Sequence, residues 1–454
     1  MEAISSSFRD RSGYVFLHND IYYRAVNQVY KSDYDHLIKS GLYEFLTQKK
    51  FLIPHQEVNH LPLQDTIFTI LQPDQIHTIS YAYEWSFSML KDAALCTLYN
   101  ALYALEFGMI LKDANTFNIQ FINGLPILID TLSFEQYNEN EEWIAYRQFC
   151  ENFIAPLVLM KYCNASLNKL LQVYPNGIPL NICISLLPLK ARLNVHVYLH
   201  LFLQNKVSTK NKNGDSTSKR NFPKEKLLTL LQGLKTFVSS LNLTKDKTTW
   251  DNYYDDTILS QFYLTEKKAL VKSFLDQVPF QTLLDLGAND GEFSMLYKNT
   301  TKQIISLDED RNCIEKLYQT CKKDGIQNII PLVCDLTSPS PDIGWHNEER
   351  SAMFKRLHPD IVLALALIHH LAIANNLPLE KIISFFHSLS EYLLIEFVPK
   401  EDPKVQQLLA HRKDVFDNYD LKHFKICIQS YYEILKESQV ADTNRTLFLL
   451  KRKG

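Results

Sequence analysis

The stretch Leu283-Leu284-Asp285-Leu286-Gly287-Ala288-Asn289-Asp290-Gly291-Glu292-Phe293-Ser294 decides how this chain is read. An apolar run ends in an acid, a turn of small residues follows, and a helix-like segment comes next. That order is the first strand, loop and helix of a doubly wound α/β domain, which binds a nucleoside-containing cofactor at its strand ends. Glycine is scarce, with 12 in 454 residues, so Gly287 and Gly291 stand out from the background. They permit positive φ and let the backbone approach a ligand.

Strand-like and helix-like runs alternate beyond this stretch. The strands expected are 282–286, 303–307, 329–334, 361–366 and 392–397. Such alternation predicts a parallel sheet with right-handed crossovers. Segments 426–435 and 446–451 are expected to add late antiparallel strands at one edge. Asp285, Asp308 and Asp335 close the first three strands, where ligands bind in open α/β sheets. One acid there means little, because acids are common in turns; three in register after a small-residue turn point to a site. An acid after the second strand can accept both ribose hydroxyls. Asp335 can accept from an adenine amino group while Leu336 packs on the ring, and Asp285 stands where a cationic amino-acid moiety would pair.

The ordered segments LLDLGANDGEFS, IISLDED, VCDL, LALALIHHL and LIEFVP resemble the successive motifs of class I S-adenosylmethionine-dependent methyltransferases. The spacing Gly-x-x-x-Gly differs from the GxGxxG of NAD enzymes. The resemblance covers residues 227–454 and implies a Rossmann-like seven-stranded sheet whose last strand is antiparallel. It also implies S-adenosylmethionine as cofactor, held by Asp285, Gly287, Ala288, Asn289, Gly291, Asp308, Asp335, Leu336 and Ala366. Methyl transfer is an in-line displacement, so the protein mainly orients the reactants. His369 and His370, after the fourth strand, and Glu396, at the end of the fifth, are the candidates for a general base. The fourth strand lacks the Asn-Pro-Pro-aromatic motif of adenine and glutamine N-methyltransferases.

The first half has a different grammar. Residues 14–26 and 66–83 read as short strands and hairpins, 34–49 as helical, and 87–107 as a longer helix with Leu90, Ala94, Leu98, Ala101 and Leu105 on one face. Residues 112–130 read as a loop and a hairpin closed at Asn123-Gly124, and 143–203 as mostly helical. Asp113, Asn118 and Asp130 resemble the catalytic loop and metal-binding strand of protein-kinase-like folds, where such residues orient the acceptor and hold magnesium with ATP. The departures are a missing glycine-rich loop, no strand lysine (Arg24 is the nearest cation), and Thr131-Leu132 after Asp130. The strings SYAYEWSFSMLKDAAL, LKDANTFNIQF, IDTLSFE, LALALIHHLAI and IEFVPK make the whole chain similar to a bacterial methyltransferase family that includes a rhizobial host-specificity nodulation protein. That resemblance implies a glycan or lipid-linked saccharide acceptor.

Composition sets the remaining bounds. A net charge of -3 gives no global field toward nucleic acid or an anionic membrane. The eight cysteines form no CxxC pair and read as reduced, buried thiols, which fits a cytoplasmic protein. The first eleven residues carry no apolar h-region, and no apolar run reaches the ~18–20 residues of a membrane span. Residues 204–226, almost without apolar side chains, are expected to link the domains. The expectation is therefore an α+β kinase-like domain at 1–203, a polar linker at 204–226 and an α/β methyltransferase domain at 227–454. The acceptor would be a polar small molecule or saccharide. The alternatives are a bifunctional kinase–methyltransferase using Mg-ATP and a non-catalytic cofactor-binding module.

Overall fold

The computed structural model describes residues 3–61, 64–139, 141–206, 222–243, 261–410 and 412–453. Most of the expected linker, 207–221, lies outside them. The chain forms two compact units, Met1–Lys245 with Pro341–Ala352, and Asp246–Ser340 with Met353–Gly454.

In the first unit, β1 (Gly13–His18) and β2 (Ile21–Asn27) make a hairpin turned at Asn19-Asp20, both residues in the left-handed region. With β3 (His55–Val58) and β4 (Ile67–Pro73) they build an antiparallel sheet in the order β1-β2-β4-β3. The helix expected over 34–49 is two helices, Lys31–Lys39 and Leu42–Gln48, separated at Gly41 with φ 83°. Residues 78–83 are not strand: they lead into a short turn at Ala82–Glu84. The helix Phe87–Glu106 buries side chains well beyond the expected stripe, including Ala93, Cys96 and Ala104. After it come β5 (Met109–Leu111), β6 (Ile119–Ile122), β7 (Leu125–Leu128) and β8 (Phe134–Gln136), paired β5-β8 and β6-β7. The β6–β7 turn is Asn123-Gly124, both at positive φ, as a tight hairpin requires.

The helix Lys224–Ser240 belongs to this unit, which corrects the expected boundary at residue 227. Its stripe of Leu227, Leu231, Leu234, Phe237 and Val238 is buried as the helix packs on Phe87–Glu106. A stripe of this width needs an apolar partner, and a helix apolar on nearly all sides supplies one. The excursion Pro341–Ala352 is held within the same unit by three contacts. Arg9 pairs with Glu349 at 2.5 Å, Ser5 Oγ donates to the Glu348 carbonyl at 2.9 Å, and the Arg350 guanidinium lies 4.0 Å over the Phe117 ring.

The second unit is a seven-stranded sheet made of β9 (Thr282–Leu286), β10 (Gln303–Asp308), β11 (Ile329–Val333), β12 (Ile361–Ala364), β13 (Tyr392–Phe397), β14 (Tyr432–Gln439) and β15 (Thr446–Arg452). The order is β11-β10-β9-β12-β13-β15-β14. All neighbours from β11 to β13 pair in parallel, while β15 runs antiparallel to both β13 and β14. The order reverses between β9 and β12, which opens the crevice where doubly wound sheets bind ligands. Strands β9 to β13 read as nearly continuous apolar runs because helices cover both faces. One expected strand is corrected: residues 426–431 finish the helix Leu421–Tyr431. Phe424, Cys427 and Ile428 are buried at helical spacing, and Asp420 caps the first turn by accepting from the His423 amide.

Candidate functional site

A cavity of about 350 Å³ opens at the carboxyl ends of β9, β10, β11 and β12, within the size range of small-ligand pockets. Its floor is built by the turn after β9. Gly287 has φ 71°, Asn289 φ 51° and Gly291 φ 87°. A Cβ on Gly287 would come within 3.3 Å of Leu367 Cδ1, and one on Gly291 would strike Leu317 Cδ1 at 2.5 Å. The glycines are therefore needed both for backbone sign and for space.

Asp308 ends β10 and lines the cavity. Its Oδ2 accepts from the Asn289 amide at 2.7 Å and its Oδ1 from the Asp310 amide at 2.8 Å. Burial pushes its carboxyl up to about 6, against these two hydrogen bonds. Asp335 follows β11 and lines the next wall. Its Oδ1 accepts from the Thr337 amide at 2.8 Å and the Thr337 hydroxyl at 2.6 Å, which fixes the carboxylate. Leu336, Leu365, Leu367 and Leu371 give the cavity an apolar side. Two acids at successive strand ends beside apolar side chains fit a nucleoside with ribose hydroxyls and an adenine ring.

Asp285 is placed differently from expectation. It lies inside β9 opposite Ser306, is 2% exposed, and is absent from the cavity wall. β9 ends at Leu286, one residue beyond Asp285, so the cavity begins at Gly287 and Asp285 sits behind it. Its Oδ2 accepts from Ser294 Oγ at 2.6 Å, and that hydroxyl also meets Ser306 Oγ at 2.7 Å. Burial pushes its carboxyl up to about 7. Ala288 and Gly291 likewise shape the turn without lining the cavity.

The segment after β12 carries the histidines. Ala366, which lines the cavity, adopts φ 47°, a costly value for a residue with a Cβ. Its amide donates to Glu396 Oε2 at 2.7 Å. A π-helical turn, His370–Ala374, follows, an arrangement frequent at functional sites. His370 lines the cavity; burial, with Lys404 and Arg445 adding, lowers its imidazole to about 4, so it is neutral at pH 7. His369 is fully buried and outside the cavity wall. Neither of its ring nitrogens has a hydrogen-bond partner among the described residues, and its ring lies 4.2 Å from that of His370. Of the two, only His370 stands on the cavity wall.

Glu396 does not face the cavity, which corrects its candidacy as a base. It is fully buried and pairs with Lys267 at 2.6 Å and with Arg445 at 3.9 Å; Arg445 in turn pairs with Asp402 at 2.7 Å. Burial works to raise the Glu396 carboxyl, but Lys267 and Arg445 outweigh it and hold it below the usual range. A carboxylate held by two cations is a poor proton acceptor. Its visible work is to fix the Ala366 amide.

The same strand-end logic that found Asp308 and Asp335 would have found their neighbours Glu309 and Thr337, which also line the cavity. Leu408, from the helix Pro403–Leu409, carried no sequence signal.

In the first unit, Asp113, Asn118 and Asp130 come near one another: Asn118 and Asp130 both act on the Asp113 carboxyl, which burial raises above its usual range. Asp130 is neutralised by Arg24 at 2.5 Å, while its oxygens also accept from the Leu132 amide at 3.0 Å and the Ser133 hydroxyl at 2.8 Å. Asp113 accepts from Gln148 at 2.7 Å. Among the described residues no three His, Cys, Asp or Glu side chains cluster so as to hold a metal ion.

No family model matches the chain. It is 30% identical over 460 residues to the nodulation protein NoeA of Rhizobium meliloti (strain 1021), a match covering 99% of this chain and 96% of that protein. Solved structures are similar over part of its length, among them the following two. A SAM-dependent methyltransferase from Aquifex aeolicus has 14% identity and a TM-score of 0.33, covering 46% of this chain and all of its own. The N-methyltransferase NodS from Bradyrhizobium japonicum WM9, in complex with S-adenosyl-L-homocysteine, has 11% identity and a TM-score of 0.33, covering 46% and 94%.

Proposed function

Because the chain belongs to the family of the nodulation protein NoeA, and its second unit is a doubly wound seven-stranded sheet with a strand-end cavity, we propose that it is a class I S-adenosylmethionine-dependent methyltransferase that O-methylates a polar metabolite or saccharide-type acceptor. The observation that carries this reading is the meeting of Asp308, Asp335 and His370 on one cavity at the carboxyl ends of β9 to β12. S-adenosylmethionine supplies an electrophilic methyl group when bound. Asp308 would accept the ribose hydroxyls, and Asp335 with Leu336 would take the adenine. The turn Gly287–Gly291 would receive the amino-acid end at its backbone, with Asp285 behind it as support.

His370 would accept the proton from an acceptor hydroxyl as the oxygen attacks. Its neutral imidazole at physiological pH leaves a nitrogen lone pair for that purpose. A hydroxyl acceptor fits a histidine on the wall and the lack of an Asn-Pro-Pro-aromatic motif. The slightly acidic chain speaks against nucleic acid. The test is to incubate the protein with radiolabelled S-adenosylmethionine and fractionated lysate. Label in saccharide or lipid supports the reading; label only in RNA or protein overturns it, and cofactor affinity without any transfer favours the non-catalytic module.

For the first unit we infer a kinase-like domain that selects the acceptor without phosphotransfer. Its four-stranded antiparallel sheet, the helices between β2 and β3, and the order Asp113, Asn118, Asp130 support the likeness. The Arg24–Asp130 pair supports the loss of activity, because the guanidinium neutralises the acid a magnesium ion would need. Magnesium-dependent ATP turnover that is lost in Asp113→Ala or Asp130→Ala would favour the bifunctional alternative instead.

A further inference from the structure

The first unit carries an apolar surface that its own fold does not use. The helical elements Leu180–Leu186, Leu189–Leu193, Val195–Val197 and Tyr198–Leu203 pack on one another in succession. Their inward face is already satisfied: Ala191, Val197 and Leu201 are fully buried. Their outward face is apolar as well. Leu189 is 76% exposed, Leu193 86% and Val195 66%, and Tyr198, Leu199 and Leu203 continue the exposure. Residues 195, 198, 199 and 203 recur at helical spacing, so they form one stripe. Contiguous exposed apolar surface of this kind marks an interaction site.

Charge identifies the partner. Residues 152–214 contain no Asp or Glu and seven Lys or Arg, in a chain with 51 acids overall. Lys190 and Arg192 stand between the exposed Leu189 and Leu193, and the Arg192 guanidinium lies 4.9 Å over the Phe202 ring. We propose that this face docks on an anionic lipid bilayer, with the aliphatic side chains entering the interface and Lys190 and Arg192 meeting phosphate headgroups. Amphipathic helices with basic residues beside an apolar stripe lie in the plane of such surfaces. A second copy of the chain fits poorly, because a two-fold contact would set Lys190 and Arg192 against their equivalents, with no acid within residues 152–214 to pair them. Nucleic acid fits poorly because the centre of the face is aliphatic. No described helix is long and apolar enough to cross a membrane, so the contact would be peripheral.

The test uses the full chain and co-sedimentation with vesicles. One set is phosphatidylcholine alone and the other contains phosphatidylglycerol. Wild type should pellet with the anionic vesicles and be released as salt is raised. Leu189→Glu with Leu193→Glu, and separately Lys190→Glu with Arg192→Glu, should each weaken binding by about tenfold or more. All four side chains are solvent-exposed, so unchanged thermal melts should accompany the loss. Equal binding to neutral vesicles, no binding to either kind, or unchanged binding by both variants overturns the proposal. So does a concentration-dependent dimer in analytical ultracentrifugation that the same variants dissolve, since it assigns the face to a second copy.

Discussion

Asp308 and Asp285 show how two acids from neighbouring strands divide their work by two residues of register. Asp308 ends its strand and reaches the cavity, whereas Asp285 lies inside its strand and is buried behind it. Asp308→Asn keeps the shape and loses the charge. It should weaken S-adenosylmethionine binding about ten- to a hundredfold, as calorimetry would measure. With the Asp308 carboxyl raised to about 6, the wild-type KM for the cofactor should rise as pH falls through that value. The kcat, if it depends on His370 at about 4, should hold until lower pH. For Asp285 the sign is opposite to that of an ion-paired acid. Its folded value, about 7, exceeds that of a free aspartate, so the folded state keeps its proton longer. Stability therefore falls as pH rises from about 4 to about 7 and stays lower above. Asp285→Asn should be more stable than wild type at pH 8 by up to a few kcal/mol, with the difference vanishing near pH 4 in urea titrations. The strand-end acids were legible in the sequence because their spacing repeats. Their burial was not, since it depends on Ser294 and Ser306 closing over Asp285.

At the scale of elements, the sequence was clearest where one pattern had one solution. The strand 282–286 emerges with its expected limits because an apolar run in a parallel sheet is bounded sharply by its turn. Segment 426–431 misled because the apolar pair Cys427-Ile428 suits a strand or a helix, and the Asp420 cap six residues earlier decides. The strand His55–Val58 was invisible for the opposite reason: three of its four residues are polar, and pairing with β4 makes it a strand. The buried group of Glu396, Lys267, Arg445 and Asp402 joins residues far apart in sequence, which no local pattern could reveal. Glu396→Gln should destabilise the second unit by about 3–5 kcal/mol, because it leaves the buried Lys267 ammonium without its carboxylate, while Arg445 keeps Asp402. Adding Lys267→Met should recover part of that loss in denaturant titrations. A general base at this position would behave otherwise, losing kcat with stability unchanged.

At the scale of the molecule, the boundary at 227 was misplaced because an amphipathic helix does not announce which core it serves. Lys224–Ser240 covers Phe87–Glu106, and Leu234, fully buried, tests the assignment. Leu234→Ala should cost the first unit about 2–5 kcal/mol and leave cofactor affinity in the second unchanged, as melting with and without S-adenosylmethionine would show. The excursion Pro341–Ala352 carries a further consequence. Because it leaves between β11 and β12 and belongs to the first unit, the chain passes from one unit to the other three times. During synthesis, domains generally fold from the N-terminus as each is completed. Here the first unit lacks its last piece until residue 352 has emerged, by which time three strands of the second sheet are already outside the ribosome. The two units must therefore mature in an interleaved order, and no single proteolytic cut can release either of them whole.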